Sequence, residues 1–316
     1  MKDTVKPFLT HHEDLVLDVK YDYYGRQLAT CSADQHVKVF DLDPETSSWT
    51  LNDSWKAHNS TIVKVDFANP EFGHLLLSIS YDRTLKIWEE KFDEPAGSGR
   101  RWRKLCTIAD SHGPLYDACF APAHLGLVVG TIGSDGKLRI YSSLDPSNLK
   151  TWTLVHEINV LHSSVASHLQ SDFSLCWCPS RFSGEKLVVS ALDQAYIYYK
   201  DESDNKFKQG VVLPEHNGLI RSVSWAPSMG RSYHLIATAC KDGFMRIFKL
   251  VEKRGNEFEI ELLASFNDHK GEVWKVSWNL TGTVLSSCGD DGSIRLYKSN
   301  YANNFQCMSV ISAQPR

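Results

Sequence analysis

The stretch His58–Glu90, HNSTIVKVDFANPEFGHLLLSISYDRTLKIWEE, decides the fold. It reads as strand, turn, strand, tight turn, strand. Leu85-Lys86-Ile87 alternates with the two-residue period of a half-buried strand, and no apolar stripe follows a helical period. Working outward, the same layout recurs from His12, His112, Ser171, His216 and His269. Val37-Lys38-Val39 and Leu138-Arg139-Ile140 repeat the alternation in the first and third copies.

Each copy carries an Asp at one place: Asp34, Asp82, Asp135, Asp193, Asp242 and Asp291, at spacings of 48, 53, 58, 49 and 49. Six residues after five of them stands an aromatic: Phe40, Trp88, Tyr141, Phe248 and Tyr297. In the fourth copy Tyr198 and Tyr199 straddle that position. Asp-Gly at 135–136, 242–243 and 291–292 is a strong hairpin signal. A period of about 50 residues with three or four strands per unit means propeller blades, which bury their faces only by stacking. The expected fold is therefore all-β: one six-bladed propeller. The blades fall at about 11–56, 57–109, 110–160, 168–213, 215–265 and 268–312. Linkers 49–56, 102–109, 151–159, 206–213 and 257–265 supply the fourth strands, and loops 90–100 and 160–171 read as polar, mobile connections.

Composition agrees. The 316 residues are 42% hydrophobic and 23% charged, with a formal net charge of −4. That balance argues against a nucleic-acid partner, which needs a dense positive field. The basic cluster Arg100, Arg101, Arg103 and Lys104 around Trp102 reads as a solvated loop entering a strand. No apolar run reaches membrane-span length, so no membrane insertion is expected. The N-terminal residues lack the apolar core of a signal peptide. The eight cysteines sit in apolar strand patterns, as small buried hydrophobes of a reducing compartment.

Two constellations resemble catalytic triads: His12, Ser32 and Asp34, and His58, Ser80 and Asp82. A nucleophile is needed once, however, and His and Asp at this spacing recur in five repeats. The structural reading is a polar network that fixes each blade's turns, fullest in the second repeat, where Trp88 joins. Cys176-Trp177-Cys178 has no second ligand pair for zinc. His11, His12, His156, His162 and His168 lack metal-motif spacing, and Gly130, Gly133 and Gly136 do not form a dinucleotide fingerprint. The expectation is no catalytic residue, no cofactor and no metal.

Several stretches carry a resemblance: DLVLDVKYDYYGRQLATCSADQHVKVFDLD near the start, SGRRWRKLCTIADS at 98–111, FAPAHLGL at 120–127, HLQSDFSLCWCPSRFS at 168–183, IRSVSWAPSMGRSYHLIATACKDG at 220–243 and WKVSWNLTGTVLSSCGDDG at 274–292. Over nearly its whole length the chain resembles the Seh-type nucleoporins, WD-repeat relatives of the Sec-thirteen coat protein. The resemblance implies an open six-bladed WD-repeat β-propeller. A partner, the nucleoporin of the eighty-five class, supplies the seventh blade in trans within the Y-shaped coat of the nuclear pore at the nuclear envelope. It also implies other Y-complex nucleoporins as partners. A second role follows from it, with subunits of a vacuolar or lysosomal complex that regulates TOR nutrient signalling, and with it a vacuole-membrane and a cytoplasmic pool. The alternative is a COPII-like vesicle-coat subunit.

The residues themselves support an open ring. Asn304–Ile311 can form the last blade's outer strand, and Pro7 weakens the N-terminal tail as a clasp. Apolar positions on the two terminal blades are then candidates for the partner surface: Val16, Val19, Val37 and Val39 in the first, Val273, Val276, Ile294 and Leu296 in the sixth.

Overall fold

In the computed structural model, residues 8–143, 145, 148–161, 170–253, 257–300 and 303–312 are described. Pro7, His162 and His168 lie outside them. Among the described residues the chain forms twenty-four strands and two single-turn 3-10 helices. The strands make six antiparallel four-stranded sheets, each a simple meander. The chain is a six-bladed WD-repeat β-propeller in which every blade is built from four consecutive strands.

Contacts divide the chain into two units, residues 1–164 and 165–316, with three blades each. In the first unit, blade 1 runs Val16–Tyr21, Gln27–Ser32, His36–Asp43 and Ser48–Lys56. Blade 2 runs Ile62–Phe67, Leu75–Ser80, Leu85–Glu90 and Trp102–Ile108; blade 3 runs Leu115–Phe120, Val128–Gly133, Lys137–Ser142 and Thr153–Asn159. In the second unit, blade 4 comprises Phe173–Trp177, Lys186–Ala191, Gln194–Asp201 and Lys206–Leu213. Blade 5 comprises Ile220–Trp225, His234–Cys240, Met245–Glu252 and Phe258–Phe266; blade 6 comprises Val273–Trp278, Val284–Gly289, Ser293–Ser299 and Phe305–Ser312. The fourth strands arise from the linkers singled out in the sequence, and blade 6 completes itself with Phe305–Ser312.

Strand alternation explains how blades stack. Blade 2 lies between two neighbours, so its second strand, Leu75–Ser80, is buried at every position. Leu76 packs with Ala29, Cys31, Val37 and Val39 of blade 1. Its sequence neighbour Leu77 points the other way and joins Leu115, Ala118 and Val129 of blade 3. Blade 5 does the same: Ile236 joins Val188 and Ile197 of blade 4, whereas Ala237 joins Val273, Val276 and Leu285 of blade 6. Fully burying one such Leu, Ile or Val is worth about 1.5–3 kcal/mol, so blade stacking is the main source of stability.

Polar side chains tie the first strands together. Asp18 accepts from the Val65 amide (3.3 Å), and Asp66 accepts from the Phe120 amide (2.9 Å). In the second unit Ser174 accepts from the Val223 amide and Cys176 Sγ from the Trp225 amide, each at 3.3 Å. Blades 1 and 2 in the first unit and blade 4 in the second thus offer an acceptor to the blade that follows.

The loop at 90–100 is held rather than free. Asp53, fully buried, accepts from the Gly99 amide (2.7 Å) and the Arg101 amide (2.9 Å), and Arg101 Nε donates to Glu90 (2.8 Å). Trp102 stacks on Trp55 with ring centres 5.7 Å apart. The basic cluster therefore includes one buried anchor and one paired arginine. Most of loop 160–171 lies outside the described residues.

Candidate functional site: the blade networks and the free blade faces

The second blade holds the fullest polar network. Trp88 Nε1 donates to Ser78 Oγ (2.9 Å), and Ser78 Oγ lies 2.8 Å from His58 Nε2. His58 Nδ1 reaches Asp82 Oδ2 at 3.0 Å. The ionised Asp82 can only accept, so His58 Nδ1 carries the proton, and with burial disfavouring the charged ring the Ser78 hydroxyl donates to His58 Nε2. The imidazole is then neutral, with its proton on Nδ1 facing the carboxylate. Burial drives the His58 pKa below its ordinary value, although Asp82 works to raise it. Burial alone would raise the Asp82 pKa, but hydrogen bonds from His58, Thr84 and the Asn59 amide hold it well below the carboxylate range.

Ser80, assigned to this network from the sequence, is not the residue that links His58 to Trp88. Ser80 Oγ accepts from the Asp82 amide (3.1 Å) and donates to Ser60 O (3.1 Å). It closes the turn, and Ser78, two positions earlier on the same strand face, makes the link. Blade 1 shows the same division. His12 bridges Asp34 (2.8 Å) and Thr30 (2.9 Å), and Ser32 accepts from the Asp34 amide (3.1 Å). In neither blade does the histidine bond to the serine of the supposed triad; its hydroxyl partners are Ser78 and Thr30, 0% and 1% exposed, and a hydroxyl buried in the blade meets no substrate.

The anchoring Asp takes different partners around the repeats. In blade 6 His269 bridges Asp291 (2.8 Å) and Ser287 (2.6 Å), and Arg295, four residues on, also reaches Asp291 (2.8 Å). In blades 3 and 5 a buried arginine four residues on takes the carboxylate: Arg139 to Asp135 (2.6 Å) and Arg246 to Asp242 (2.7 Å). The sequence signal was present as Asp-x-x-x-Arg. Where that residue is lysine, it reaches a backbone carbonyl instead: Lys86 to Ala57 O (2.7 Å) and Lys38 to Thr10 O (3.2 Å). The Asp is then left to histidine. His112 and Asp193 are exposed. The three Asp-Gly turns have their glycines at φ 71°, 86° and 65°, and Gln35 and Arg83 adopt the same left-handed conformation in blades 1 and 2.

Among the described residues, no group of three or more His, Cys, Asp or Glu could hold a metal. Cys178 is buried in the blade 4–5 core with Cys176 at its edge, whereas Cys307, on the last strand, is exposed.

The eight candidate partner positions divide by phase. Val37 and Val39 are fully buried against blade 2, and Val273 and Val276 are buried against blade 5. These four are core residues and offer nothing to a partner, a correction to the expectation. The reason is the period of two: one alternating set on each terminal blade faces its neighbour within the unit. Val16, Val19 and Ile294 are exposed, at 39%, 49% and 45%, and Leu296 is half-buried. On blade 1 Val19 belongs to an exposed row with Leu17 and Tyr21. Sequence reading missed that row's neighbours. Tyr21 packs against Trp49, and Phe8 packs against Phe40 and Trp49, so the segment from Phe8 covers one corner of this face. On blade 6, Ile294 pairs across the sheet with Ile311, and Leu296 with Ser309.

Comparison with known proteins places these features. The profile of the "WD domain, G-beta repeat" family matches residues 4–41, 49–89, 207–249 and 260–298. Nucleoporin SEH1 of Saccharomyces cerevisiae is 53% identical, over 98% of this chain and all of that protein. Nucleoporin seh1 of Schizosaccharomyces pombe is 40% identical over 97% and 96% of the two chains, and Nucleoporin SEH1 of Homo sapiens is 38% identical over 95% and 86%. With six Asp-anchored blades and similarity along almost its full length, this chain belongs to the SEH1 nucleoporin family of WD-repeat proteins, non-enzymatic scaffolds.

Proposed function

We propose that this chain is a scaffold subunit of the Y-shaped nuclear pore coat, completed by a strand-rich segment that a nucleoporin of the eighty-five class inserts in trans. The observation that carries this reading is the exposed apolar row Leu17, Val19 and Tyr21 on blade 1. It stands on a strand whose opposite face is already committed to blade 2. Blade 6 offers Ile294 and Leu296 in the same way. Contiguous apolar surface of this kind marks an interaction site, and strand addition satisfies both its apolar and its backbone demands. An obligate contact of this class buries more than about 2,000 Å². Other Y-complex nucleoporins, and residence at the nuclear pore in support of nucleocytoplasmic transport, follow from the same reading.

The Seh-type resemblance also supports a second assembly, a vacuole-associated complex acting on TOR signalling, which would use the same terminal faces. A vesicle-coat role is the competing assignment, and the identity of the co-purified partner separates the three. The test is affinity purification from native cells with the wild type and Val19→Asp. The expected result is a nucleoporin partner held by the wild type and lost by a folded variant. Recovery of a vesicle-coat partner instead, or full retention by Val19→Asp together with Ile294→Asp, would sink the proposal.

A further inference from the structure

Within the second unit, a cleft of about 540 Å³ opens between the connection Pro179–Ser183 of blade 4 and the connection Pro227–Ser232 of blade 5, with His234 and Glu252 in its wall. That volume is in the range of ligand pockets. The cleft shares no lining residue with the terminal faces invoked above, and the blade 4–5 core does not use the residues of its rim.

Three features of its lining bear on what it could hold. The first is charge. Arg231 has no carboxylate partner among the described residues: its terminal nitrogens donate to Pro227 O (2.6 Å) and Gly282 O (2.9 Å), and its Nε is buried without a hydrogen bond. Burial pulls the pKa of this guanidinium below its ordinary value. Arg181, exposed on the same rim, forms no ion pair among the described residues. The one acid in the lining, Glu252, is engaged by Lys186 (3.0 Å) and His234 (2.9 Å). The second is a buried histidine: His234 is only 7% exposed, and although burial works to lower its pKa, Cys178 and Glu252 push it up to about 9. The third is apolar. Phe182 is 99% exposed and Met229 is 69% exposed, so both stand bare at the mouth.

We propose that this cleft is a docking site for an extended peptide segment of a partner protein, in which an Asp or Glu side chain enters beside Arg231 and Arg181 and an adjacent bulky apolar residue packs on Phe182 and Met229. Charge complementarity selects the acid: two cations without acid partners sit beside a carboxylate that is already spoken for. A free small anion would leave Phe182 and Met229 uncovered. A nucleic acid would need a continuous basic surface, which a chain of net charge −4 with two arginines at this cleft does not offer here. Aromatic and arginine anchors beside a partly desolvated cleft are the residue types that dominate peptide and protein interfaces.

The test is a selection of random 12-residue peptides displayed on phage against the purified full chain, followed by fluorescence anisotropy on the synthesised winners. The expected consensus is Asp or Glu beside Phe, Leu, Trp or Met. Affinity should fall at least about tenfold in Arg181→Glu with Phe182→Ala, and fall again in high salt as charge is screened. These two side chains are exposed, so that variant keeps the wild-type circular dichroism. Arg231→Gln is the stricter probe, read only where its melting curve matches the wild type. Val19→Asp should leave peptide binding unchanged, which separates this cleft from the terminal faces. The proposal is overturned by a basic or purely apolar consensus, by no enriched peptide, by binding that survives the double change, or by peptides that bind only when phosphorylated or are displaced by inorganic phosphate.

Discussion

Replacing Ser78 with alanine removes the one hydroxyl that joins His58 to Trp88. The oxygen is fully buried, accepts from Trp88 Nε1 at 2.9 Å and lies 2.8 Å from His58 Nε2. The substitution strands one donor and one acceptor in a site that water does not reach. An unsatisfied buried group costs about 1–3 kcal/mol, and losing the hydroxyl's own desolvation returns part of the sum. The expected net loss is about 2–4 kcal/mol. For a unit of about 150 residues each kcal/mol moves the melting temperature by about 2–4 °C, so a drop of at least about 4 °C is expected. Melting followed by tryptophan fluorescence reads this directly, because Trp55, Trp88 and Trp102 pack together at the network. A double-mutant cycle with Trp88→Phe isolates the shared bond, and the coupling should be about 1 kcal/mol or more. If Ser78→Ala melts like the wild type, or if the cycle shows no coupling, the network is not a source of stability and the reasoning fails.

Acid should weaken the same blade. The His58 pKa is depressed in the folded state, so the unfolded chain binds the extra proton first and stability falls as pH drops below about 6.5. The depressed Asp82 adds stability that is present above about 3.8 and is lost as pH falls from there through its much lower folded value, so melting temperatures should decline in two stages, one below about 6.5 and one that begins below about 3.8 and continues under about pH 3; a flat profile refutes this. Arg139→Lys should cost about 2–4 kcal/mol despite conserving charge, because Arg139 reaches both Asp135 (2.6 Å) and Glu157 (3.0 Å) from a fully buried position; a denaturation midpoint equal to wild type would contradict it. Val39→Asp should fail to fold or lose more than about 4 kcal/mol, whereas Val19→Asp should fold normally by circular dichroism; equal behaviour of the two would undo the assignment of faces.

The repeat period, the six anchoring Asp residues and the fourth strands were all readable from spacing and turn chemistry, because these are local signals. The phase of each strand was not. Val39 and Leu296 read identically as apolar members of an alternating strand, yet one is core and the other half-buried on a free face, since the phase depends on which neighbour a blade meets. Ser78 and Ser80 were confused for a related reason: they share a strand face, and only the three-dimensional reach of His58 tells them apart. The Asp-x-x-x-Arg pairs were visible but carried no meaning until burial showed that Arg139 and Arg246 replace the histidine. The cleft at Arg231 had no linear signature, because its walls come from connections 48 residues apart, Pro179 to Pro227.

The two-sided burial of blades 2 and 5 has a kinetic consequence. Opening either one exposes two apolar faces at once, whereas blades 1 and 6 can peel away from a single packed neighbour in their own unit. Local opening free energies in such stacked arrays follow the number of neighbours each repeat retains. Backbone amides of Leu75–Ser80 and His234–Cys240 should therefore exchange hydrogen for deuterium last. Those of Val16–Tyr21 and Phe305–Ser312 should exchange early in the isolated chain and slow sharply when a partner strand is laid against them, so the scaffold's stiffest regions are already set and its terminal blades gain rigidity on assembly.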